Sequence, residues 1–352
     1  TQTISSAIAL NNAITIRNNS TGALNLTGNI ATNGKAITLD GTGTGTSLSG
    51  VISGTGNLTK NDAGSVTLSG ANTYTGNTTI NNGTVIANNN TAFGTGTINL
   101  TGGTISTTTS ANVTNAITLL GNATLSGHLT TSGTLTQNGG NYTLSLDDAR
   151  QAGAVNLSND NTARTLTVQV DTGTSYIDGG IANGGTSAGS LTKTGSGTIV
   201  LSGANTYTGT TNITAGSIQL GASDRLANGS NVVIGASGTL NLAGYSEKIG
   251  NLTASGGATL DFGSVSGNNT FIFGNYTAPS SGVLVVNNWE STKDNLSTTV
   301  AGQNVSTIYI SGYGVAQEAA STSAMGGSYG SAYLLTPVTV SSKEWDGSSS
   351  SS

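Results

Sequence analysis

The 352 residues contain no cysteine. That excludes disulfides and thiolate metal sites, and it fits an extracellular chain that avoids oxidation chemistry. There is a single histidine, His128, so triads and metal sites built on several histidines have no material. Charged residues make up 7%, against roughly 25% in an ordinary soluble domain. The ten Lys and Arg are scattered singly and the formal net charge is −5, which leaves no electrostatic footprint for nucleic acid. No apolar run approaches the roughly 20 residues needed to span a bilayer. The opening TQTISSAIAL lacks the basic and apolar regions of a signal peptide, as expected of an exported chain already processed. Aromatics are 5% and prolines 2, so a thick globular core has little to be built from.

What remains is 53 Gly with abundant Thr, Ser, Asn, Ala, Leu and Ile. Disordered chains carry high net charge and few β-branched residues. Here Thr, Val and Ile are plentiful, and they favour pleated, half-buried surfaces. Apolar residues alternate in pairs such as Ile14/Ile16 and Leu24/Leu26, between turn clusters such as Asn18-Asn19-Ser20 and Asn33-Gly34. Nothing has helical periodicity over a useful length. The strands read as too short and too poor in bulky residues for a sandwich, and the pattern continues for nearly 280 residues. We therefore expect an all-β fold, a right-handed parallel β-helix (a β-solenoid). At about 20 residues per coil, residues 1–282 would make roughly 14 coils and a rod some 65 Å long.

The chain also repeats itself. Leu58–Gly83 reads LTKNDAGSVTLSGANTYTGNTTINNG, and Leu191–Gly216 reads LTKTGSGTIVLSGANTYTGTTNITAG. The ten residues from Leu68 and from Leu201 differ only at the last position, and the offset of 133 holds from Lys60/Lys193 to Gly83/Gly216. One repeat unit is then a block of about six or seven coils.

These two segments resemble the autotransporter-associated β-strand repeat. The pattern is carried by Lys60, Leu68, Ser69, Gly70, Asn72, Tyr74, Gly76 and Gly83, and again by Lys193, Leu201, Ser202, Gly203, Asn205, Tyr207, Gly209 and Gly216. The first copy departs at Asp62-Ala63, where the second has Gly195. The resemblance implies a large secreted or surface-exposed bacterial β-helix, often an autotransporter passenger, and it implies no chemistry. Residues 283–352 are too short for a translocator barrel, and VLVVNNWE…ISGYG is similar to the end of non-autotransporter surface proteins that bear the same repeat.

Near residue 270 the texture changes. Both Trp, both Pro and half of the ten Tyr fall beyond that point. Residues 283–345 are expected to form a distinct C-terminal β cap or assembly segment, since solenoid ends must not expose a raw edge. The tail 346–352 (DGSSSSS) has no means of ordering itself, so a neighbouring subunit is expected to hold it.

Candidate chemistry is thin. Asp147, Asp148 and Arg150 form the densest charge cluster of residues 84–190, but the other acids needed for a polysaccharide-cleaving groove are scattered. Calcium at Asp40-Gly41 or Asp160 would want several more carboxylate oxygens. Gly41–Gly45 and Gly54–Gly56 lack a P-loop Lys and read as turns. The pairs Thr73/Thr75, Thr134/Thr136 and Thr206/Thr208 lack the strict register of an ice-binding ladder. About twenty Asn-x-Ser/Thr sequons, among them Asn25, Asn57, Asn77, Asn112, Asn141, Asn212 and Asn251, leave glycan decoration open.

No catalytic, cofactor-binding or metal-binding residue is expected, and no cofactor. The expected function is a non-enzymatic extracellular structural protein. Its partner would be itself, with Val283–Trp345 meeting the N-terminal coil Ile4–Ile16 of the next subunit, head to tail, in an open filament. The alternative is an adhesin or passenger rod that binds cell-surface glycans or neighbouring cells. A phage tail-fibre segment is the third reading, distinguished by trimeric mass.

Overall fold

The computed structural model describes residues 1–263, 268–324 and 331–337. Every regular element among them is a strand. The first coil places strands at Gln2–Ile4, Ile8–Ala9 and Ile14–Arg17, and the next at Leu24–Leu26, Ile30–Ala31 and Ile37–Asp40. They pair parallel and in register, Gln2 with Leu24, Ile8 with Ile30 and Ile14 with Ile37. Three faces result, called first, second and third in chain order. The third runs as a nine-stranded ladder from Ile14–Arg17 to Ile181–Ala182. The chain is thus a parallel β-solenoid of about 15 turns, and the right hand is the one such parallel crossovers take.

The alternation seen in the sequence sets the interior. Ile37 and Leu39 are buried while Thr38 and Asp40 between them face outward. Each buried aliphatic side chain contributes about 1.5–3 kcal/mol, and the coils stack these contributions along the axis. Up to Leu242 the buried rings are Tyr74, Phe93 and Tyr207. Phe262, Phe271, Phe273, Tyr276 and Trp289 then crowd the last turns.

Parallel stacking runs past the boundary expected at 282, as Leu260 pairs with Val286 and Leu284 with Ile308. The change of pairing comes at Gly314. There an antiparallel hairpin, Gly314–Ala324 and Ser331–Pro337, joins Tyr309 to Val315 on one side and Leu296 to Leu335 on the other. The hairpin spans the open edges of the second and third faces and pairs with both, which closes them to further strands. Trp345 and the tail 346–352 lie outside the described residues.

The two repeats occupy different sides of the rod. In the first, Leu58–Lys60 lies on the third face and Ser65–Leu68 on the first. In the second, Ser190–Thr194 lies on the first face and Thr198–Leu201 on the second. From Leu58–Lys60 the third-face ladder takes six steps to Ile181–Ala182, and the next strand in the chain is Ser190–Thr194. The offset of 133 residues is therefore six turns and one face.

Candidate functional site

The Lys, Leu, Asn and Tyr shared by the two copies of the repeat turn inward in each. Along the second face the Ile8 N–H donates to the Asn29 carbonyl and the Ile30 N–H to the Val51 carbonyl. At the repeat the strand is missing, and Asn72 supplies what it would have given. Its Oδ1 accepts from the Ile52 N–H at 2.8 Å and its Nδ2 donates to the Ala92 carbonyl at 2.7 Å. In the second copy Asn205 accepts from the Ile181 N–H at 2.7 Å and donates to the Arg225 carbonyl. A buried amide can replace a strand because it carries both a donor and an acceptor.

Two residues on, Tyr74 and Tyr207 are fully buried. Their hydroxyls meet Thr78 Oγ1 at 2.6 Å and Thr211 Oγ1 at 2.5 Å. Burial pushes both phenols upward from their ordinary pKa. Gly76 follows because a Cβ there would lie 2.2 Å from the Gly56 carbonyl of the preceding coil.

Lys60 and Lys193 are interior residues too. The Lys193 ammonium donates to the carbonyls of Thr194 at 2.6 Å and Gly195 at 2.8 Å, and Lys60 to that of Asp62. Desolvation lowers both, Lys193 to about 8. Gly83 and Gly216, in the left-handed region at φ 73° and 67°, close over these amines, which a Cβ would approach to 2.8 and 2.9 Å. None of these groups faces solvent with a free nucleophile or base.

The other acidic candidates are held by hydrogen-bond partners. Asp40 accepts from Arg17, and Asp160 from Ser158 at 2.8 Å and from Arg164. Hydrogen bonds from Ser158 and Arg164 hold the Asp160 carboxyl down at about 2. Among the described residues no three His, Cys, Asp or Glu converge to hold a metal ion.

One cluster is assembled by the fold, which brings His128 to the neighbouring Asp147, Asp148 and Arg150. His128 and Asp148 sit one coil apart at the corner between the first and second faces, both left-handed at φ 58° and 53°. The His128 N–H donates to the Asp148 carbonyl at 2.7 Å, and His128 Nδ1 lies 2.6 Å from Asp148 Oδ2. Beside them, Arg150 donates through Nε to Asp178 and lies over the Tyr176 ring, 5.0 Å from its centroid. His128, Thr130, Asp148, Arg150 and Tyr176 line an open depression of about 160 Å³. Asp147 is exposed next to it.

A family model described as the passenger-associated-transport-repeat matches residues 58–87 and 191–220. The chain thus carries two copies of an autotransporter-associated repeat. No curated protein and no solved structure matches the chain.

Proposed function

We propose that the chain is a non-enzymatic, extracellular rod displayed on a bacterial surface in the manner of an autotransporter passenger. The observation that carries this reading is the use made of the repeat. Asn72 and Asn205 tie one coil to the next, the Lys and Tyr of both copies are spent inside the rod, and the family description of those segments is one of passenger transport. The rod then holds whatever its outer corners bear at a distance from its base. Protease treatment of intact cells tests it: loss of the full-length chain without lysis is expected, and full protection would overturn the surface location.

A second reading is head-to-tail assembly into a fibre through Ile4–Ile16 and Val283–Trp345. Of the five large hydrophobic side chains exposed among the described residues, Tyr309, Tyr313 and Val315 lie at the C-terminal end and Ile4 at the other. Because the hairpin occupies two C-terminal edges, such a contact would be face packing, with little strand pairing. Electron microscopy over rising concentration distinguishes the two, since only single rods at the highest concentration would exclude the fibre.

A further inference from the structure

We infer that the depression between His128 and Tyr176 is a binding site for a neutral saccharide ring. This builds on the surface-rod reading and names a ligand class and a place on the rod.

The first ground is concentration of function. Charged residues are 7% of the chain and there is one His. Yet His128, Asp147, Asp148, Arg150 and Asp178 come together on three successive coils with Tyr176, although they span 50 residues of sequence. The second is the mix of the groups. The lining brings the Thr130 hydroxyl, which donates and accepts, together with the Asp148 carboxylate, which accepts, and the Arg150 guanidinium, which donates.

A phosphate or carboxylate offers acceptors only and would meet Asp148 unfavourably. The local balance is against it as well, with three carboxylates facing one Arg and one His. An ammonium offers donors only and would meet Arg150. A vicinal diol offers a donor and an acceptor on each oxygen and suits both. The third ground is preorganisation. Arg150 holds Tyr176 at 5.0 Å, a stack that fixes two otherwise mobile side chains before any ligand arrives. The volume of about 160 Å³ lies below the roughly 300–1,000 Å³ of drug-sized sites, so one ring is seated and the chain of a longer glycan runs out over the rod.

Saturation-transfer NMR on the whole purified chain tests this, with methyl mannoside, methyl glucoside and methyl galactoside as probes and glucuronate and glucosamine as charged comparators. At least one neutral glycoside is expected to give transfer, with weaker signals from both charged sugars. Arg150→Gln and Tyr176→Ala are expected to weaken it at least tenfold. Tyr245→Ala, an exposed tyrosine elsewhere on the rod, should leave it unchanged. Arg150 is itself exposed, so its variant keeps the fold even if Tyr176→Ala does not. Absence of transfer from all three neutral glycosides, stronger transfer from a charged one, or equal binding by Arg150→Gln would overturn the site. Protease accessibility on cells is independent of this result, so the rod reading can survive its failure.

Discussion

The two copies of the repeat are built alike inside and differ in what lies over them. Both place an Asn amide between coils, a buried Tyr on a Thr, and a Lys capped by carbonyls under a left-handed Gly. Over the first, Asn115 from the next coil donates its amide to the carbonyls of Gly94 at 3.1 Å and Gly96 at 2.7 Å. Over the second, Glu247 instead accepts from the N–H groups of Arg225 at 2.7 Å and Leu226 at 3.0 Å. The polarity of the contact is reversed, and one cover is neutral while the other can ionise. Burial pushes the Glu247 carboxyl up to about 7. The same interior module therefore tolerates opposite partners, and only the second copy has an acid titrating near neutrality in its lid.

The largest test of their likeness is Tyr74→Ala against Tyr207→Ala. Each removes a ring with no exposed surface, and each is expected to cost about 3–5 kcal/mol locally. Hydrogen exchange around residues 72–80 and 205–213 should speed up comparably in the two variants. If one copy is unaffected, the modules are not equivalent.

The difference is best tested by pH. The Glu247 pKa in the folded chain lies above the ordinary 4.5. Between those values the folded chain keeps a proton that the unfolded chain has released, so stability falls as pH rises from about 4.5 to about 7. The expected loss is up to about 3 kcal/mol, confined to the coils of the second copy. Glu247→Gln should remove the slope, and a wild-type slope of equal size in the first copy would refute the assignment.

Lys193 gives the opposite sign. Its pKa of about 8 lies below 10.5, so between them the unfolded chain holds the extra proton and stability rises with pH. Lys193→Met should flatten that rise in exchange measured from pH 8 to 10. Smaller still, about 2 kcal/mol each, is the expected cost of Asn72→Ala and Asn205→Ala. These leave the Ile52 or Ile181 N–H and the facing carbonyl without partners. Asn72→Asp should be worse than Asn72→Ala, because it keeps the acceptor, loses the donor and buries a charge.

Much of this was legible in the residues. Alternation at Ile14/Ile16 and Leu24/Leu26, turn clusters and the scarcity of bulky residues point to a parallel solenoid. The cap boundary was placed too early because the rise in aromatics near 270 marks larger rings inside the coils (Phe271, Phe273). The switch from parallel to antiparallel pairing comes later, at Gly314. The burial of Lys60 and Lys193 was hidden, since lysine is rarely interior and the carbonyls that receive it belong to turns. His128 and Asp148 are 20 residues apart, the coil period itself. Arg150 finds Tyr176 and Asp178 at 26 and 28 residues, because that coil is longer, and no fixed period would have aligned them.

The extra face in the spacing of the repeats has a consequence for how such a rod can change. The same module is accepted starting from two different walls, so neither of them is a privileged front. Inserting a segment one wall long between two modules leaves both intact and swings every downstream corner to a new bearing. Length sets how far a surface feature is carried, and the remainder after whole turns sets the direction in which it points.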